Sequence, residues 1–403
     1  MPILFFIVFI DLVGFGLIIP LLPFYGEHMH ATPAEVGLLM AAYSCAQFVT
    51  APFWGRISDR IGRRSVLIIG ITGAMLSYLW LAFADGLWML FAARAFGGAM
   101  AGNISAAFAY VADITGPHNR AKGMGLIGAA FGLGFIFGPV IGGVLAGSDP
   151  LNADYQTPAL TAAALSATAL VLALAMLPES LSKEVRARQA ALPRKTRRQA
   201  LQRALTQPSV ILLLVISFLA VFVFAGMETT FAMWSRRQFG WGPEQNGYLF
   251  AFVGVISAGV QGGLIGRLAK RFGEGKLIVL GTASLASGMV MIPYAASLSW
   301  LLAAMVFVAI GFSLVSPSLN SLISLQVDAD VQGGTMGITR STTTLARVLG
   351  PGWAGAMFYY LGKDSPFLGG AVVMAAVMLL SLRTMRLSRR RRRTESRGEA
   401  DAR

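Results

Sequence analysis

Twelve apolar stretches follow one another along the chain, at roughly 2–24, 33–54, 65–84, 87–112, 121–146, 157–177, 209–234, 245–266, 276–296, 299–325, 332–361 and 365–385. A helix rising 1.5 Å per residue needs about 20 apolar residues to cross a hydrocarbon core of about 30 Å, and each stretch meets that length. Little chain remains between them. The first run is long and has no basic preamble, so it reads as a retained span rather than a cleaved signal. The pattern predicts an all-α membrane protein. Composition points the same way, because 55% hydrophobic and only 13% charged residues over 403 positions excludes an ordinary soluble domain.

A formal net charge of +14 invites a nucleic-acid reading, but the placement of the 33 Lys and Arg decides against it. With the amino terminus inside, 27 fall in the even-side loops and the tail, and only three, Arg236, Arg237 and Lys363, fall opposite. That bias is the positive-inside rule, and it predicts that both termini are cytoplasmic. The run Arg389 to Arg393 is expected to meet anionic lipid headgroups. Cys45, inside the second span, excludes an intramolecular disulfide and a Cys-based metal site. The pair His28 and His30 is too small a ligand set to suggest a metal, so none is expected.

Internal repetition divides the chain. Gly55-Arg56-Ile57-Ser58-Asp59-Arg60-Ile61-Gly62 returns, degraded, as Gly266-Arg267-Leu268-Ala269-Lys270-Arg271-Phe272-Gly273, at an offset of 211. Pro33 to Gly37 is echoed by Pro243 to Gly247 at 210, and Gly138-Pro139 by Gly350-Pro351 at 212. Three markers at one period indicate duplication. The expected organisation is a six-helix bundle at 1–177, a basic cytoplasmic linker at 178–208, a second bundle at 209–387 and a basic tail at 388–403. Such repeats place a substrate site at their interface near the midplane, with alternating access by rocking of one half against the other.

The residues Gly55-x-x-x-Asp59-Arg60-x-Gly62-Arg63-Arg64 resemble the signature loop of the major facilitator superfamily. Arg94 with Gly97, Gly98 and Gly102 resembles the family's second motif. Gly134-x-x-x-Gly138-Pro139-x-x-Gly142-Gly143 is similar to the motif of its antiporters. Phe9-Ile10-Asp11 with Gly14, Gly16, Pro20 and Pro23, Asp113 with Arg120, and Phe239-Gly240-Trp241 resemble the tetracycline/proton antiporter branch. The resemblance covers essentially the whole chain and implies a twelve-helix fold in two pseudo-symmetric bundles. It also implies a bacterial inner-membrane location, transport driven by a proton gradient without a cofactor, and no enzymatic activity. Departures accompany it: that branch's acid in span 3 falls on Ser77, its span 8 histidine on about Ser257, and its span 9 acid on about Leu285. Tetracycline itself is thereby left open as a cargo.

In the signature loop, glycines permit close approach and a tight reversal, while Asp59 can pair with neighbouring arginines and face the positive end of the helix starting near Gly333. Such a clasp would act as a cytoplasmic gate that holds one access state; the alternative is a solvated turn. Pro139 kinks span 5, and Gly138, Gly142 and Gly143 leave a close-packing face, which is either the antiporter device or generic small-residue packing.

Five charges lie within spans: Asp11, Arg94, Glu228, Arg340 and Arg347. Each is costly in hydrocarbon, so each is a functional candidate. Asp11 lies about 14 Å from the inner edge, with Arg94 at similar depth. An Asp whose cationic neighbour moves between access states can bind a proton in one and release it in the other; the alternative is a fixed structural pair. Glu228, near the outer end of span 7, is a second protonation site or an interfacial glutamate. Arg340 and Arg347, seven apart, share a helix face, where they could attract an anionic substrate group; the alternative is that Arg347 satisfies carbonyls near Gly350-Pro351 and Arg340 pairs with Asp11 or with the cytoplasmic clasp. Asn103 and Asn320 are isolated amides at comparable places in the two halves, and with Phe224, Glu228 and Arg340 they are candidate cavity residues, as are Phe222 and Phe231. The chain is expected to work as a monomer, as a proton-coupled exporter of an amphipathic small molecule with no nucleic-acid partner. The alternative is a transporter of organic anions anchored by Arg340.

Overall fold

The computed structural model describes residues 2–115, 120–180, 207–327 and 329–401, and among them the chain is helical throughout, with no strand. The first span comprises α1 (Pro2–Ile18) and α2 (Leu22–His28), parted where Pro20 cannot donate a backbone hydrogen bond. Next come α3 (Pro33–Ile61), α4 (Arg63–Ala82), α5 (Leu87–Met100) and α6 (Asn103–Ile114), the last two forming one broken span, then α7 (Arg120–Ala146) and α8 (Gln156–Met176). After the linker run α9 (Pro208–Phe239), α10 (Pro243–Gly259), a π-turn at Val260–Leu264, α11 (Ile265–Phe272), α12 (Glu274–Met291), α13 (Leu298–Leu325), α14 (Ala329–Leu361) and α15 (Ser365–Asp401).

Eleven segments among the described residues are long and apolar enough to cross a membrane. The twelfth, α14, is 33 residues long but carries Arg340 and Arg347, which lower its hydropathy. Helix starts follow local chemistry. Thr32 and Glu35 form a capping box at α3, the Glu35 carboxylate accepting the Thr32 amide at 2.7 Å. Gly62 and Gly273, one repeat apart, turn the chain into α4 and α12 with φ of 104° and 83°, so the duplication reaches backbone geometry that glycine alone adopts readily.

The contacts divide the chain into two compact units. The first is Met1–Leu192 with Glu228–Val255 and Pro351–Lys363; the second is Pro193–Met227 with Ile256–Gly350 and Asp364–Arg403. The first unit thus takes in ends of α9, α10 and α14. Its core has two clusters. One, around Leu17, Leu22, Phe24, Leu39, Leu81 and Leu90, lies towards the end that bears Glu27; the other, around Leu4, Ile7, Val66, Leu67, Tyr110 and Ile127, lies towards the signature loop. In the second unit Val260, Leu277 and Leu314 pack together. Large apolar side chains such as Leu76, Val171, Val372 and Leu379 point outward, as lipid-facing positions do.

Candidate functional site

Asp11 sits midway along α1 and is 9% exposed. What faces it is set by the break in the fourth span. The Trp54 indole of α3 donates to the Ala99 carbonyl at 2.6 Å, taking the acceptor that the Asn103 amide would use in a continuous helix. Gly102 lets the indole in, since a Cβ there would lie 2.5 Å from Trp54 Cγ. The helix restarts at Asn103, whose side chain turns to Asp11: Nδ2 donates to Asp11 Oδ2 at 2.6 Å, while Oδ1 accepts from the Ile104 amide at 2.9 Å.

Arg94, 3% exposed, is the neighbour anticipated from sequence, and it lines the same small cavity as Asp11, together with Tyr43, Ser77, Tyr78 and Asn103. The cavity has room for about one ordered water. Arg94 forms no ion pair with Asp11; its guanidinium lies 4.4 Å over the Tyr43 ring, a cation–π seat. Asp11 Oδ1 and Arg94 Nε are buried without a protein hydrogen-bond partner, and the Ser166 hydroxyl of α8 lies beside the carboxylate. The arrangement is a buried carboxylate with one oxygen held by a neutral amide, in a residue that lines a water-sized space beside a cation. Sequence reasoning placed Asn103 on the cavity wall and did not foresee its bond to Asp11. Tyr43 and Tyr78 carried no signal in the sequence beyond their apolar surroundings.

At the signature loop Arg63 is the hub. Its Nη1 meets Asp59 at 2.7 Å and donates to Ser58 at 3.0 Å, and its Nε meets Asp113 at 3.2 Å. Glu179 caps α4 by accepting the amides of Arg63 at 2.9 Å and Arg64 at 3.2 Å, and Arg64 donates to the Leu174 carbonyl at 2.6 Å. Gly55 has open space around it and Arg60 is exposed. Asp113 meets Arg63 and accepts from the Ser180 hydroxyl at 3.1 Å; the Arg120 side chain lies outside the described residues, as do the surroundings of Gly333 at the start of α14.

Gly134, Gly138 and Gly142 seat α7 on α1: a Cβ at Gly138 would lie 2.6 Å from the Gly16 carbonyl carbon, and one at Gly134 2.9 Å from Leu12 Cβ. Gly143 and Pro139 face α10 instead. A Cβ at Gly143 would lie 2.8 Å from the Pro243 carbonyl oxygen, and one at Gly247 would overlap the Pro139 carbonyl. The same device recurs between α3 and α14, where Gly37 meets the Pro351 carbonyl and a Cβ at Gly355 would lie 2.5 Å from that of Pro33.

A feature not anticipated lies at the end remote from the signature loop. Glu27 receives Arg236 Nη1 and Arg237 Nη2, each at 3.0 Å, and Arg237 also stands 4.6 Å over the Phe358 ring. Glu27 adjoins the His28 and His30 pair, and its partners are 209 and 210 positions away, so no local pattern betrays the link.

In the second unit Arg340, Arg347 and Asn320 are exposed, and Phe224 stacks on Phe312 with centroids 4.0 Å apart. A mid-span arginine is costly in hydrocarbon and needs water or a polar partner. The π-turn presents Gln261, which donates to Ser313 at 3.3 Å. Glu228 is half-buried in the first unit. Phe231 is not a wall residue: it is fully buried between Trp234 and Phe250, so aromatic packing claims it. Among the described residues no three His, Cys, Asp or Glu gather as metal ligands.

The family model described as Major Facilitator Superfamily matches residues 4–351 and 264–402. The tetracycline resistance protein, class C, of Escherichia coli is 33% identical over 383 residues, covering 94% of each chain. The multidrug resistance protein 2 of Bacillus subtilis (strain 168) is 31% identical, covering 93% of this chain and 92% of its own. Among solved structures, the human organic anion transporter MFSD10 (TETRAN) superposes with a TM-score of 0.71 at 27% identity, covering 94% of this chain and 98% of that one. With the family model spanning nearly the whole sequence, the chain belongs to the Major Facilitator Superfamily.

Proposed function

We propose that the chain is a proton-coupled antiporter that exports amphipathic small molecules across the bacterial inner membrane by alternating access, as a monomer, with both termini cytoplasmic and the proton gradient as its energy source. The observation that carries this reading is Asp11: a carboxyl buried mid-span that shares a cavity with Arg94 yet is bonded to the neutral Asn103. A carboxylate neutralised by a fixed ion pair has no reason to exchange its proton. One held by an amide, with the cation close but seated on Tyr43, can gain a proton when the cation withdraws and lose it when the cation approaches. The Arg63 network at the signature loop serves as the cytoplasmic gate, and Arg94 as the modulator of Asp11. Export of amphipathic cargo is supported by the similarity to the tetracycline and multidrug resistance proteins.

The test uses purified protein in liposomes with an imposed pH gradient, and tetracycline and the amphipathic dye ethidium as probes. Asp11→Asn is expected to abolish gradient-driven accumulation while leaving probe binding and folding intact. Unchanged uphill transport by that variant removes Asp11 from the mechanism.

A second reading is favoured by one observation, the exposed Arg340 in mid-span, together with the organic anion transporter among the structural relatives. There Arg340 anchors an organic anion, and Arg340→Gln lowers anion affinity. Intact affinity for every transported anion would remove its basis.

A further inference from the structure

The break in the fourth span does more than bend a helix. It puts the Asn103 side chain, 7% exposed, at the first turn of α6, pointing at Asp11 rather than outward along a continuous helix. The amide orientation is fixed by its own hydrogen bonds. Because Oδ1 accepts the Ile104 amide, Nδ2 must be the group that faces the carboxylate, and it donates to Oδ2 at 2.6 Å. Oδ2 therefore holds the amide, whereas Oδ1 accepts no hydrogen bond of good geometry; the Ser166 hydroxyl of α8 is the neighbouring group that could turn to it, and Asp11 lines the water-sized cavity. A carboxyl free to rotate could take a proton on either oxygen. This one cannot.

We propose that Asn103 is a positioning residue that holds the Asp11 carboxyl in one orientation, so that the proton is taken and released at Oδ1. The inference rests on the reading of Asp11 as the proton-binding group. The other groups facing Asp11 are Tyr43 from α3, Tyr78 from α4 and Arg94 from α5; α8 contributes Ser166, and neither α7 nor α8 has a titratable side chain at that depth. None of these takes the place of Asn103 at Oδ2. Span 3 allows the contact through Gly70, where an added Cβ would lie 2.8 Å from Asn103 Cβ.

The experiment is infrared difference spectroscopy of the full chain in lipid, stepped in pH without substrate, with the Asp11 band defined by its loss in Asp11→Asn. When Oδ1 carries the proton, Oδ2 is the carbonyl oxygen and accepts from Asn103. Asn103→Ala keeps the Cβ that packs on Gly70 but removes the donor. It is expected to raise the carbonyl stretching frequency and to move the half-protonation pH by about one unit, a tenfold change in proton affinity, as loss of a hydrogen bond to a charged group does. Asn103→Gln, which keeps an amide, is expected to restore part of both shifts. If Asn103→Ala does not fold, the near-isosteric Asn103→Asp decides. Two adjoining carboxyls titrate in two coupled steps, and a single step at the wild-type position overturns the proposal. A wild-type frequency and midpoint in Asn103→Ala overturns it as well. Survival of the band and of gradient-driven transport in Asp11→Asn instead sinks the proton-carrier reading itself, so the two failures are told apart.

Discussion

Glu27 offers the sharpest test of how the far end is held. Each of its oxygens meets a guanidinium at 3.0 Å; the glutamate side chain is 10% exposed, and those of Arg236 and Arg237 are 28% and 39% exposed. A charge-assisted hydrogen bond contributes about 1.5–3 kcal/mol when shielded, and an exposed ion pair only about 0.2–1 kcal/mol. A buried acid with half-wet partners falls between, at about 1 kcal/mol per arm and about 2 kcal/mol for both. Removing the acid also leaves two arginines facing one another, which adds in the same direction. Glu27→Ala is therefore expected to raise the population opened at this end by about thirtyfold, and Arg236→Gln, which spares the Arg237 arm, by about fivefold. The assay is alkylation of a single cysteine at Ala232→Cys in a Cys45→Ser background. Ala232 is fully buried, in the same core cluster as Leu17, Ile18, Leu21 and Leu22 of the first span and one turn before Arg236. A membrane-impermeant maleimide supplied from the outer face, on the orientation proposed above, reaches it only when that end opens. Labelling of Glu27→Ala at the parent rate would show that the ion pairs do not hold the closure.

The glycine seats act on the same closure: Gly247→Ala drives a Cβ into the Pro139 carbonyl, so it is expected to weaken the closed arrangement by about 1–3 kcal/mol and to speed the same labelling. Glu179→Ala removes the cap from α4 and should cost about 1 kcal/mol, read as a lower melting midpoint of the purified protein with α4 amides exchanging faster. In the loop before α8, the Leu151 amide and the Asn152 side chain hold the Asp149 carboxyl below its ordinary value of 3.8. Because the folded value is the lower one, the turn's contribution is present above the ordinary carboxylate range and fades as pH falls through the depressed value; intrinsic-rate-corrected hydrogen exchange over the turn should show that dependence, and Asp149→Asn should abolish it.

Apolar run length is clear for eleven spans, because a bilayer sets one length for all of them, and weaker for α14 with its two arginines. Where helices break was not legible in the same way. Pro20 announces the first break, but the second has no proline: it depends on the Trp54 indole, nearly fifty positions away, capturing the Ala99 carbonyl. The partner of Asp11 was hidden for that reason. Depth arithmetic put Arg94 at the right level, yet a continuous helix places Asn103 on a different azimuth, and only the break turns it inward. The loop chemistry at Arg63 was readable in its local part, the Asp59 pair four residues back; Asp113 was marked by the resemblance beside Arg120, but its bond to Arg63 and the role of Glu179 were not legible.

The repeat markers carried more than a count of halves. Pro33 to Gly37 and Pro243 to Gly247 are equivalent by duplication, as are Gly138-Pro139 and Gly350-Pro351. In the first unit they meet crosswise, Gly37 on Pro351 and Gly247 on Pro139. A pair of surfaces related by a two-fold axis must be self-complementary, so that when i touches j, the equivalent of j touches the equivalent of i. A chain that arose by duplication meets that requirement only if both markers persist in both copies, which explains why short, chemically plain motifs survive where the sequence around them has diverged. The charges did not follow. Gln238 stands at the offset of 211 from Glu27 and takes Lys363 where Glu27 takes two arginines. The packing of this end is therefore symmetric while its electrostatics are not, and the ionic part of the closure is concentrated where the first span meets α9.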